Sequence, residues 1–161
     1  MSNSAKTDTD NDKKYIVSPF YARFKARLSS YFKNPDHLEQ AAQARSPKDG
    51  AFLKQVNEEI LAHLQEESFD NQALSRAMAL SRSQLYRRIY ALSNLPPSRY
   101  IRFVRLLKAK EIMEVERVTV SEAAFRTGFV NLSHFTRVFR QQFGFAPSEF
   151  KRLCQKKTPT P

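Results

Sequence analysis

A shift of about 50 residues lays one stretch of this chain on another, and that self-similarity limits the fold more than any other feature of the sequence. Ser81 meets Asn131, Leu85 meets Phe135, Arg87 meets Arg137, Ile89 meets Phe139, Pro97 meets Pro147 and Tyr100 meets Phe150. Upstream of the first pair the shift is 49, which brings Ser75 onto Ala124 and Ala79 onto Gly128. A capping residue, an apolar residue, an arginine, a second apolar residue and a proline beyond the helix therefore recur in order. Such a pattern marks one supersecondary block used twice.

Each block reads as a short helix, a tight turn and a longer helix. In the first copy Asp70 or Asn71 can cap a helix over about 72–78, and Ser81 caps a second over about 82–93 that buries Leu85, Ile89 and Leu92. In the second copy Thr119 or Ser121 caps a helix ending at Gly128, and Asn131 caps one over about 132–143 with Phe135, Phe139 and Phe143 inward. Pro96-Pro97 closes the first copy and opens a connecting helix to about Val115. Its apolar set is Tyr100, Phe103, Val104, Leu107 and Ile112, with Arg99, Arg102, Arg105, Lys108 and Lys110 on the remaining surface. Pro147 starts a last helix to about Gln155.

Ahead of the repeat, Phe52, Val56, Ile60 and Leu64 recur four apart, with Glu58, Glu59, Glu66 and Glu67 mostly opposite. This pattern predicts an amphipathic helix from Ala51 to near Ser68. The preceding polar stretch over 34–50, punctuated by Ser46-Pro47 and Asp49-Gly50, reads as a linker with room for one short helix. Phe20, Phe24, Leu28, Tyr31 and Phe32 share one helical face, and Pro19 suits that helix's first turn. Residues 1–14 are polar and without periodicity, and are expected to be a disordered tail.

With only 3 glycines in 161 residues and frequent Ala, Leu, Arg, Glu and Gln, the expected fold is all-α. The expected organisation is a tail over 1–14, an amphipathic helix and linker over 15–50, and a double helix-turn-helix domain over 51–155. That domain divides into a first unit over 51–95, a connecting helix over 96–116 and a second unit over 117–155, with a short tail over 156–161.

Charge supports a polyanionic partner. The net charge is +11, and residues 71–161 hold 17 Lys and Arg against 5 Asp and Glu, whereas residues 51–70 hold 1 against 5. The single Cys154 excludes an internal disulfide or a multi-cysteine zinc site, and fits a reducing cytoplasm. His37, His63 and His134 lie in different elements without a paired carboxylate pattern, so no catalytic or metal-binding group is expected. No run approaches the ~18 apolar residues of a membrane span.

A recognition helix presents its first turns to base edges in the major groove, where Arg can grip guanine and Ser, Gln or His can meet other edges. The outward set is Arg82, Ser83, Tyr86 and Arg87 in the first copy. In the second it is Leu132, Ser133, His134 and Arg137, with Asn131 at the cap near a phosphate. Leu132 can meet a thymine methyl or pack inward, and packing is preferred.

The run GFVNLSHFTRVFRQQFGFAPSEFKR, residues 128–152, resembles the signature of the AraC/XylS family of transcription regulators, and LSRSQLYRRIYALSNLPPSRYIRFVRL, residues 80–106, resembles that family's first helix-turn-helix. The likeness spans about 50–154. It implies two helix-turn-helix units held by one connecting helix, with recognition helices in adjacent major-groove segments of double-stranded DNA. By this resemblance Ser83, Tyr86, Arg87, Ser133, His134 and Arg137 read bases, while Arg82, Asn131, Arg140 and Lys151 hold the backbone. An activator working with RNA polymerase is expected, without a cofactor. Ala79 stands where the family commonly has glycine and Ser75 where it has alanine, so a tighter or strained first turn is expected, and a first unit that positions more than it specifies. Pro96 and Ala146 replace a hydroxyl cap.

The run YIVSPFYARFKARLSSYF, residues 15–32, resembles the end of a response-regulator receiver domain, with Ser18 in place of the expected lysine and no acidic phosphoacceptor region. Taken without that resemblance, the run is an amphipathic helix that docks on its own domain; the resemblance implies instead a homodimer contact or a link to an upstream signalling domain. Two other functions are weighed. Some DNA-repair alkyl-transfer proteins carry this type of domain beside a cysteine-zinc site, which a lone Cys154 cannot build. The other is an adaptor that turns its basic face to acidic protein or RNA; RNA readers normally offer aromatic stacking platforms, whereas most phenylalanines here fall on core faces.

Overall fold

A computed structural model of the chain describes residues 35–157. They form α1 (Pro35–Arg45), α2 (Pro47–Ala62), α3 (Asn71–Ala77), α4 (Arg82–Ser93), α5 (Pro97–Val115), α6 (Val120–Arg126), α7 (Leu132–Phe143) and α8 (Pro147–Lys157). No strand occurs among the described residues, as an all-α fold requires. The tail expected over 1–14, the helix expected over 20–32 and the final residues from 158 lie outside them.

Helices begin where the sequence supplies caps. Asp70 accepts from the backbone N–H groups of Gln72 and Ala73, and Thr119 accepts from Glu122. Ser81 and Gln84 form a reciprocal capping box: Gln84 N–H donates to Ser81 Oγ at 3.2 Å, and Ser81 N–H donates to Gln84 Oε1 at 2.9 Å. Asn131 accepts from His134 N–H at 2.8 Å. α5 begins at Pro97 with no side-chain cap. At α8, Ala146 N–H instead donates to Glu149 Oε2 at 2.7 Å.

The repeat is visible bond by bond. Leu80 N–H donates to Ser75 O at 2.9 Å in the first turn, and Phe129 N–H to Ala124 O at 3.0 Å in the second. These are the 6→1 bonds of a Schellman turn, 49 residues apart. Leu85 to Ser81 and Phe135 to Asn131 repeat 50 apart, each at 2.9 Å. One residue is therefore inserted in the second turn, between Phe129 and Asn131, and it is Val130, which is exposed. Helix-ending residues differ between the copies. Ala79 (φ 52°) and Asn94 (φ 56°) take the left-handed conformation in the first, where Gly128 (φ 79°) and Gly144 (φ 84°) take it in the second. Asn tolerates that region; Ala79 is strained there, as the sequence leads one to expect.

α5 is the shared strut. It packs against α2 and α4 on one side and α6 and α8 on the other. Tyr100, Ile101, Phe103, Val104, Leu106, Ala109, Ile112 and Met113 are all buried, which wraps apolar contact around the helix. Towards the second unit, Leu106, Ala109 and Ile112 join Ala123, Phe135, Phe139 and Phe150 in one core, with Cys154 packed on its edge. Towards the first, Tyr100 Oη donates to Asn57 Oδ1 at 2.9 Å, and Asn57 Nδ2 donates to Glu39 Oε1 at 2.6 Å, so a chain of polar groups, buried at its Tyr100 end and half-buried at Glu39, joins α5, α2 and α1. Burial pushes the Tyr100 phenol well above its ordinary range, keeping it a neutral donor.

Three sequence expectations are corrected here. Residues 35–50, part of the stretch read as a linker, are largely helical. α1 packs on α2 through Leu38 and Ala42, each 3% exposed, and Ser46-Pro47 is the cap and first residue of α2 rather than a linker break. Gly50 is no turn residue either: it lies buried in the first turns of α2, where a Cβ would stand 2.9 Å from Gln43 Cα. α2 in turn ends at Ala62, earlier than Ser68. Finally, Arg105 does not belong to the surface of α5. It is 8% exposed, and its guanidinium donates to Glu66 O at 2.5 Å and Phe69 O at 3.4 Å. The segment that follows α2 covers α5 at that position, so the cation turns to the Glu66 and Phe69 carbonyls rather than to solvent.

Candidate nucleic-acid interface

α4 presents Arg82, Ser83, Tyr86 and Arg87 to solvent, in keeping with the outward set read from the sequence. Leu85 and Ile89 anchor its other face at 1% and 0% exposure. Tyr86 stacks on Tyr90, with centroids 5.6 Å apart and planes within 7°. The four-residue spacing of these tyrosines on a helix was the signal for the pair. Gln84 is exposed, but its carboxamide oxygen is held in the cap. Arg88, the neighbour of Arg87, turns back over the Phe52 ring at 3.7 Å and is committed to the fold.

α7 presents Asn131, Leu132, Ser133, Arg137 and Arg140 as exposed residues, above a face formed by Phe135, Val138 and Phe139. Leu132 is 44% exposed, which corrects the preference for inward packing: its chain neighbours Asn131 and Ser133 are exposed too, and the buried face begins only at Phe135. His134 is half-buried. Its ring lies 6.1 Å from Phe129, tilted 50°. Burial first, then the Arg137 and Arg102 charges, hold the imidazole below its ordinary value, so it is neutral near pH 7. Lys151 is half-buried on α8.

The outward residues of each unit thus come together on their own helix. Sequence reasoning missed what α5 adds. A cleft of about 320 Å³ lies between the first turns of α5 and α7, with Ser98 and Arg102 on one wall and Asn131 and His134 on the other. Glu67 and Asp70 close it from the first unit. Arg102 is half-buried, and its pKa is lowered by desolvation, then by the Arg99 and Arg137 charges. Among the described residues, no group of His, Cys, Asp and Glu could hold a metal, and no helix is long and apolar enough to cross a membrane.

A family profile described as a helix-turn-helix domain matches residues 74–153, nearly the whole of the repeat. Over 81 residues the chain is 33% identical to the HTH-type transcriptional activator RhaS of Escherichia fergusonii, a match covering 50% of this chain and 29% of that one. It is 27% identical over 145 residues to Histidine kinase P4 of Formosa agariphila, covering 86% of this chain and 11% of that one. The chain therefore spans less than a third of either relative. In structure it is similar to the DNA-binding domain of AdpA, a global transcriptional factor solved in complex with a target DNA. That likeness has a TM-score of 0.59 at 28% identity and covers 66% of this chain and 95% of that one. The duplicated caps, turns and post-helix prolines, the strut between the units and these relatives agree: the chain belongs to the AraC/XylS family of DNA-binding transcription regulators.

Proposed function

We propose that this chain binds double-stranded DNA sequence-specifically, α4 and α7 each reading one of two adjacent major-groove segments, and that it activates transcription through RNA polymerase in the cytoplasm. The observation that carries the reading is that both helices expose an arginine at the same place in the repeat, Arg87 and Arg137, and neither has a hydrogen bond or ion pair among the described residues. An uncommitted guanidinium on the outer face of a helix is free to grip guanine O6 and N7. Ser83, Tyr86, Ser133 and His134 complete the base-facing set, and Arg82, Asn131, Arg140 and Lys151 the backbone set. The RhaS relative, named as an activator, favours activation.

Selection of bound duplexes from a random pool tests this. The expected site is about 20 bp with two elements one helical turn, about 10 bp, apart. Arg137→Ala is expected to cost roughly 1–3 kcal/mol and to relax specificity at one base pair. Equal losses on specific and random duplexes would refute base reading.

The likeness to the histidine kinase covers more of this chain than residues 35–161 can supply, so it reaches into the first 34 residues. This supports input from a signalling segment joined through that region. Sedimentation of the chain across a concentration range separates this from the alternative use as a dimer contact: a monomer throughout leaves the signalling reading alone.

A further inference from the structure

The cleft between α5 and α7 has an unbalanced wall. Arg102 stands there beside Ser98, facing Asn131 and His134, and it feels Arg99 and Arg137 as like charges. Among the described residues none of these three arginines has a hydrogen bond or ion pair, although two acids line the far side. Asp70 is occupied as the cap of α3, accepting from Gln72 and Ala73 at 2.8 and 3.0 Å. Glu67 faces Arg105, which is itself held by the Glu66 and Phe69 carbonyls. Three arginines gathered with no carboxylate paired to any of them repel one another in the free protein, and a bound anion relieves that repulsion.

The repeat sharpens the point. Lys151, assigned to the DNA backbone beyond the second recognition helix, falls on Ile101 in the first copy, and Ile101 is 4% exposed in the core. The first copy cannot place a cation there. Its cation comes one residue later, at Arg102, and that residue turns towards the recognition helix of the second unit.

We propose that Arg102, assisted by Arg99, binds a phosphate of the DNA strand that lies between the two major-groove segments. The inference rests on the reading of α7 as a groove-entering helix. The ligand class is a phosphodiester oxygen, and the connecting helix becomes part of the DNA interface rather than a spacer behind it. Because Arg102 is half-buried on a rigid helix, the contact also fixes where the two units sit along the backbone.

The test compares the full chain with Arg102→Gln and Arg102→Lys on a selected duplex and a random duplex of equal length, with helicity and melting recorded for each. Arg102→Gln is expected to weaken both duplexes alike and to make the plot of log K against log salt shallower by about 0.9 per lost phosphate contact. Arg102→Lys is expected to retain the slope. In parallel, duplexes carrying a single neutral methylphosphonate between the two elements should weaken wild-type binding at one or two positions and leave Arg102→Gln no weaker than before. An unchanged slope, or equal sensitivity of wild type and variant at every phosphate, overturns this site while leaving two-unit reading intact. A wild type that loses nothing at any phosphate between the elements overturns it without reference to any variant. Absence of duplex binding by the wild type overturns both.

Discussion

Exchanging the two turn residues, Ala79→Gly and Gly128→Ala, perturbs equivalent left-handed positions with different surroundings. Ala79 is exposed, so its substitution changes little besides backbone strain. Removing a Cβ from that region relieves about 1–2 kcal/mol, and glycine's extra freedom in the unfolded chain takes back about 0.4–1. The expected net gain is about 0.5–1 kcal/mol, or about 2–3 °C in Tm for a domain of this size. Gly128→Ala incurs the same strain and more. Its Cβ would lie 2.6 Å from Leu64 O and 3.1 Å from Arg105 Cζ. Neither neighbour can yield cheaply, because Leu64 precedes the carbonyls that hold Arg105, and displacing the guanidinium leaves a buried cation short of acceptors. A lost charged hydrogen bond adds about 1.5–3 kcal/mol, giving a total loss of about 2–4 kcal/mol. Equilibrium urea unfolding of both variants measures the difference. If Gly128→Ala lost no more than Ala79→Gly gained, the close approach between units would have no energetic content and the reasoning would fail.

Other substitutions probe separate features. Tyr100→Phe strands the buried Asn57 Oδ1 and is expected to cost about 1–2 kcal/mol, read as a lower urea midpoint; an unchanged midpoint would mean that water replaces the phenol. Gly50→Ala would gain about 1 kcal/mol in helix propensity on an isolated helix, yet the 2.9 Å approach to Gln43 Cα should reverse the sign and loosen α1, raising hydrogen exchange over 38–45. His134 is held below its ordinary value of 6.5, so the unfolded chain takes up its proton first and stability falls as pH drops below about 6.5. His134→Gln should therefore lose less Tm than wild type between pH 7.5 and 5.5, and parallel losses would show that other groups set the acid response.

What could be read in advance followed the local chemistry. Ser81, Asn131, Pro97 and Pro147 act within a turn of their own positions, so the bounds of α4, α5 and α7 followed from them. Gly50 and Ser46-Pro47 were misread because the same residue types serve loops and close helix crossings, and only α1 lying against α2 decides between them. Arg105 was placed on a surface because periodicity on one helix does not reveal that a second unit covers its back. On the outer faces of α4 and α7, the exposed places of Arg87 and Arg137 were legible from the repeat. The half-burial of His134, the exposure of Leu132 and the part played by Arg102 depend on how α7 sits against α5, a relation between elements about thirty residues apart.

The shared strut has a consequence for how such a protein can change over time. Each helix-turn-helix unit finishes its core on residues of α5: Tyr100 and Val104 serve the first, Leu106, Ala109 and Ile112 the second. Deleting either unit would bare one flank of that helix to water. A unit can therefore change at its outward positions, such as Ser83 or Arg137, but hardly be discarded. The outward face of either unit can change while both units stay folded.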